Sequence, residues 1–233
     1  MRVIFIFFIF FSLSINAQVF PVPEDKEVNF DVWRKKKVIG SLTTKFIEEN
    51  ENLILHSILD IEVKVLFIPA YKFFQETKET WSNGNFIAID GFTDFEDDRE
   101  YKIDGKDDNG MFIATGMDGV IEMDQNIVPL NYWNKEMLKE TQVFDTQKGI
   151  VREIDVKKLK NENIKINGSK FDTEKFIFNA SVNPKDLGPF PEYTLWYNKD
   201  ELIKMEFQNP KDKKTITIIR TDLINQWLPK LFG

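Results

Sequence analysis

Few residues in this chain can do chemistry, and the scarcity is informative. There is one histidine, His56, and no cysteine among 233 residues. The chain therefore has no thiol nucleophile, no disulfide framework, no zinc ribbon and no multi-histidine metal site. A serine triad would have to use His56 with an activated serine, and no Gly-x-Ser-x-Gly elbow occurs. His56 falls mid-strand and reads as a surface or half-buried strand residue. No catalytic residue is assigned.

The carboxylates offer the next possibility. Glu76 and Glu79 are three residues apart, so on a strand they face opposite sides. They cannot by themselves flank one glycosidic bond, which needs a pair ~5–10 Å apart. The acidic runs 94–98 and 104–110 lack the alternating ligand spacing and closing glutamate of a calcium loop. They read as solvated hairpin loops, and no metal site is expected. No Gly-x-Gly-x-x-Gly or Walker loop is present, so no cofactor and no nucleotide is expected. The formal charge of −7 argues against nucleic acid as a partner.

Aromatic side chains remain. Trp81, Trp133, Trp196 and Tyr197 are the candidate ligand-binding residues, since indole and phenol rings stack on sugars or lipids. The same residues also suit cross-strand packing.

The elements that must position these residues are strands. Val28, Phe30 and Val32 alternate with polar residues, and a charged turn at 34–37 leads to a strand over 38–47. Residues 53–67 keep period two throughout, with Leu53, Leu55, Leu59 and Ile61 on one face and His56 on the other. Ile68-Pro69-Ala70 is expected to break that strand, because proline lacks a ladder donor. Tyr71, Phe73, Thr77 and Trp81 share one side of the next strand. Asn83-Gly84 then marks a hairpin, and Asp118-Gly119 marks another. Further strands are expected at 99–104, 150–157, 163–167, 171–180, 193–198, 201–208 and 214–220. Short helices are expected at 131–138 and 222–230. The fold class is mainly β: an antiparallel meander forming a strongly curled sheet or open barrel, with one or two short helices. Such a sheet encloses apolar volume filled by side chains or by a ligand.

The N-terminus reads as an address. Met1-Arg2, an apolar run from Val3 to Leu13 broken by Ser12, and Ala17 before Gln18 together match a signal peptide over 1–17. The apolar run is shorter than the ~20 residues of a spanning helix. Residues 18–233 are expected to form a single β-rich domain, periplasmic or secreted, held by packing and hydrogen bonds without disulfides.

Several motifs occur in a suggestive order. They are Phe30-Asp31-Val32 with Val38-Ile39-Gly40, the run from Val63 to Phe73, and Glu79-Thr80-Trp81-Ser82-Asn83-Gly84. Trp133-Asn134, Leu195-Trp196-Tyr197 and Lys204-Met205-Glu206-Phe207 follow. Together they resemble a bacterial exported family catalogued as a domain of unknown function, number 6134, over about residues 28–220. That resemblance implies no catalytic residue. In plan it is similar to curled-sheet carriers of outer-membrane lipoproteins. The expectation is a non-enzymatic exported protein that binds a hydrophobic ligand, a possible lipid, or an envelope protein, of unknown oligomeric state. A carboxylate-dependent envelope glycan hydrolase and a structural or assembly component of the envelope are the alternatives.

Overall fold

The structure is a computed structural model, and it describes residues 21–65, 68–95, 99–186, 190–209 and 212–223. The proposed signal peptide and most of the expected 222–230 helix lie outside the described residues.

Among the described residues, fifteen antiparallel strands form one sheet. In chain order they begin with β1 (Glu27–Arg34), β2 (Lys37–Glu49), β3 (Asn52–Val65), β4 (Ile68–Ser82) and β5 (Asn85–Asp94). Next come β6 (Glu100–Asp108), β7 (Met111–Gly116), β8 (Gly119–Asp124), β9 (Gln142–Asp145) and β10 (Ile150–Lys158). The last are β11 (Glu162–Ile166), β12 (Ser169–Ala180), β13 (Tyr193–Asn198), β14 (Glu201–Gln208) and β15 (Thr215–Arg220). The spatial order is β8-β7-β6-β5-β4-β3-β2-β1-β15-β14-β13-β12-β10-β9, with β11 paired to β12 off this path. Two sequential meanders are thus joined where the first strand pairs with the last.

The local rules behind the strands hold. Asn83 and Gly84 take φ of 49° and 80°, the left-handed values a tight hairpin needs. Lys35 and Lys36 turn the β1–β2 hairpin in the same way. Pro69 corrects an expectation. It lies inside β4, paired with Lys64 next to a register shift in β3. Proline is tolerated there because it sits near the strand start, opposite a bulge where the regular ladder is interrupted. The helix expected at 131–138 is a 3-10 turn, Lys135–Lys139, started by the Asn134 side chain accepting from the Glu136 N–H at 3.2 Å.

The sheet curls until its two ends meet. Phe112 of β7 and Phe144 of β9 have ring centroids 5.9 Å apart. The Met117 N–H donates to Lys148 O at 2.7 Å across the same seam. A Cβ on Gly116 would lie within 2.5 Å of Gly149 Cα, and Gly149 itself has φ 67°. Only glycines allow this backbone approach. The strands β8 and β9 are not ladder partners, so the barrel is open. The chain after β8 covers the gap: Phe144 N–H donates to Val128 O at 2.9 Å, and Leu130 N–H to Phe144 O at 2.7 Å.

Period-two alternation separates two cores. The inner face carries the main cluster, including Val28, Phe30, Leu55, Phe86, Phe112, Phe144 and Ile218. A small cluster of Ile164, Ile166, Trp196 and Ile203 forms on the other face, where the β11–β12 hairpin folds over β13 and β14.

Candidate functional site

The inner face is not filled. It bounds a cavity of about 420 Å³, within the ~300–1,000 Å³ typical of small-molecule sites. The walls are mostly apolar, among them Phe30, Leu42, Leu59, Ile61, Met205 and Ile218.

One wall differs. The inward residues of β4 are Tyr71, Phe73, Gln75, Thr77, Glu79 and Trp81. All but Trp81 line the cavity. Thr77 pairs with Ser57 on β3, which pairs with Thr44 on β2, so three hydroxyls occupy one rung. The Thr44 and Ser57 oxygens are 2.8 Å apart. A polar stripe therefore descends an otherwise greasy wall.

Glu79 ends that stripe and is 2% exposed. Its Oε2 accepts the Trp81 indole N–H at 3.2 Å and the Asn131 amide at 2.9 Å. Its Oε1 receives only the longer 3.1 Å arm of that same amide. Asn131 cannot be reversed, because its Oδ1 already accepts the Trp133 N–H at 3.0 Å. Burial pushes the Glu79 carboxyl up to about 7, against the lowering effect of the Asn131 and Trp81 hydrogen bonds. Glu79 has neutral donors and no cation in its hydrogen-bond shell.

Residues 130–133 form the floor. Trp133 lines the cavity, donates its indole N–H to Pro21 O at 2.7 Å and packs edge-on against Phe46. The fully buried Arg220 guanidinium lies 5.2 Å from the Trp133 ring. Asp222 takes three hydrogen bonds from Arg220 at 3.0, 3.1 and 3.0 Å, and Glu201 takes a fourth at 2.5 Å. Burial works against the Arg220 charge, but these carboxylates raise its pKa further.

Ions gather at the other end of the cavity. Arg152 is 1% exposed and donates to Asp145 at 2.6 Å and to both oxygens of Asp186 at 2.9 and 3.1 Å. Lys148 also bonds Asp186, as does the Asn183 N–H at 2.9 Å. Burial would push Asp186 up, but Arg152, Lys148 and the Asn183 amide outweigh it and hold the carboxyl at about 2. Phe190 covers the Arg152 guanidinium at 4.9 Å.

The aromatic candidates separate. Trp133 is on the cavity floor, and Trp81 stands behind Glu79. Trp196 is on the opposite face, its ring between the Lys175 and Lys204 ammonium groups at 4.9 and 4.3 Å. Tyr197 is fully buried under the floor, donating its O–H to Tyr132 O at 2.6 Å. Neither Trp196 nor Tyr197 lines the cavity. His56 lies on the outer face, 2.6 Å from Glu76, with Glu79 on the inner one. Among the described residues no cluster of three acid or histidine groups fit to hold a metal occurs.

In sequence, Glu79 stands out only by its spacing from Glu76. The signal for its real place was available: 79 continues the odd-numbered series of Tyr71, Phe73, Thr77 and Trp81. An ionisable residue inside an aromatic face is a site signal. Asp145, Arg152 and Asp186 belong to no local motif, so the sequence carries no signal for them.

The curled sheet, the open seam and the inner cavity define an open-barrel β protein. The family profile for the domain of unknown function DUF6134 matches residues 30–221, and the chain belongs to that family. No curated protein matches it in sequence. A β-barrel-like protein of the unknown-function domain DUF1849 from Brucella abortus shares the fold at a TM-score of 0.59 and 12% identity, over 84% of this chain and 94% of that one. A protein of YmcC-like fold from Bacteroides fragilis, described as exported, aligns at 10% identity over 86% and 96% with a TM-score of 0.36.

Proposed function

We propose that this protein is a non-catalytic carrier or receptor for a hydrophobic ligand held inside the barrel. One observation carries the reading: the inner face of the sheet bounds an open cavity of about 420 Å³ lined largely by apolar side chains. The concavity opens to solvent, so its apolar wall is wetted unless a ligand covers it, and covering it recovers burial energy. The N-terminal export pattern supports a periplasmic setting, where such ligands need shielding from water.

A glycan hydrolase fits less well. Glu79 has the raised carboxyl of a general acid. The other buried carboxylate on the cavity wall, Asp186, already receives four hydrogen bonds, two on each oxygen. It has no lone pair left to activate water or attack a sugar.

The test is a titration with the apolar fluorophore N-phenyl-1-naphthylamine. Saturable one-to-one enhancement is expected, and cavity-filling Leu59→Trp combined with Ile61→Phe should abolish it without loss of the circular dichroism of the sheet. Absence of saturable binding, or binding unchanged in the filled variant, overturns the reading.

A further inference from the structure

A simple grease-binding cavity has no use for a polar stripe, and each buried polar group costs free energy unless bonded. Thr44, Ser57 and Thr77 share one rung, with Gln75 above and Glu79 below. Thr93, paired with Gln75 on β5, is fully buried outside the cavity lining, and its hydroxyl has no hydrogen-bond partner among the described residues. Glu79 is the strongest member. When protonated it is a donor, yet neither group bonded to it offers an acceptor. The Asn131 carboxamide turns its NH2 to Glu79 and its Oδ1 to the Trp133 N–H, and an indole N–H only donates. Its proton therefore has no protein acceptor in this shell, while the residue itself lines the cavity.

We infer that the cavity selects an uncharged amphiphile, one that places a carbonyl oxygen of an ester, amide or ketone against the Glu79 carboxyl. This rests on the hydrophobic-ligand reading and adds the chemistry of the bound head. The apolar part lies on Leu42, Leu59, Ile61, Met205 and Ile218. The Thr44–Ser57–Thr77 rung solvates the remaining polar atoms of the head. A ligand ammonium would fit worse, because it requires a buried ion pair and the desolvation of both partners.

The surroundings leave Glu79 free to act in this way. Its strand neighbours on either side are Leu55 and Ile89. The ionisable groups elsewhere on the cavity wall are the phenols of Tyr71, Tyr132 and Tyr193, and at the ionic end Arg99, Lys148, Arg152 and Asp186. Burial raises the Tyr132 and Tyr193 phenols, which stay neutral. Arg220 lies against the Trp133 ring and is neutralised by Asp222 and Glu201. None of these forms a hydrogen bond or ion pair with Glu79. Binding by the protonated acid should thus weaken as pH rises through about 7.

The experiment displaces N-phenyl-1-naphthylamine from the full protein with methyl decanoate, decane or decylamine, at pH 6 and pH 8. Methyl decanoate should compete best at pH 6 and lose about tenfold in affinity at pH 8, following the protonated fraction of Glu79. Glu79→Gln keeps a neutral donor in the same place, so its ester affinity should be the same at both pH values. Glu79→Leu should bind ester and decane alike; thermal unfolding establishes that both variants are folded. A pH-independent ester affinity in the unmutated protein overturns the inference, as does stronger binding of decylamine. In both cases a bound fluorophore leaves the hydrophobic-ligand reading standing. If the fluorophore does not bind at all, both fall.

Discussion

Glu79 and Asp186 are both buried carboxyls on the wall of one cavity, and their surroundings drive them in opposite directions. Asp186 meets two cations and a backbone N–H, every lone pair is engaged, and its pKa falls to about 2. Glu79 meets two neutral donors and no cation, and burial lifts it to about 7. The first is a structural clamp, tying β9, β10 and the loop after β12 to one guanidinium. The second keeps unspent hydrogen-bonding capacity in an apolar enclosure. A buried carboxyl whose bonding is complete holds the fold, and one left incomplete is available to a ligand.

The largest effect that separates the two should come from the clamp. Arg152→Ala strands Asp145 and Asp186 without their cation and should cost about 3–5 kcal/mol, read as a lower midpoint in urea. If the loss is under 1 kcal/mol, on the order of an exposed pair, the clamp is not structural. The pH dependence has the sign of a depressed acid. The contribution of Asp186 is present above the ordinary aspartate range and is lost as pH falls toward about 2.

Glu79 should show the opposite sign. Its folded pKa is raised, so its contribution is complete below about 4.5 and is lost as pH rises through about 7. Unliganded protein should lose roughly 3 kcal/mol of stability across that window. Glu79→Gln should remove this slope, so urea midpoints at pH 5 and pH 8 differ less in the variant. An unchanged slope would remove Glu79 from the account.

Smaller effects sharpen the geometry around the pair. Gly116→Val forces a side chain into the Gly149 backbone at the seam and should cost about 1–3 kcal/mol, by analogy with overpacking. Amide exchange of the Met117 N–H should accelerate in that variant. Lys185→Ala removes an exposed bridge to Asp118 at 2.7 Å and should change stability by less than ~1 kcal/mol. Together the two variants ask whether the barrel ends meet through backbone packing or through surface charge.

Much of the sheet was legible because period two is written locally. Leu55 and Leu59 against His56, or Asn83-Gly84 between two strands, need no partner to be understood. The strand β9 was not legible: Gln142–Asp145 is four residues long, three of them buried, and shows no alternation. The β1–β15 pairing joins residues up to 190 positions apart, Phe30 with Arg220, and no local signal encodes it. The site lay between these cases. Glu79 was on the aromatic face by simple counting, but its isolation from cations depends on Asn131, which arrives from beyond β8. The place of Trp196 likewise depended on the β11–β12 hairpin, whose Ile164 and Ile166 cover it on the outer face.

The central claim is that the barrel interior holds a hydrophobic molecule. Native mass spectrometry of the protein purified from its own cells tests this most directly, with the Leu59→Trp/Ile61→Phe variant alongside. The account predicts an added mass, released by organic solvent, on the unmutated protein and none on the filled variant. A bare mass for both, or the same added mass on both, would contradict it.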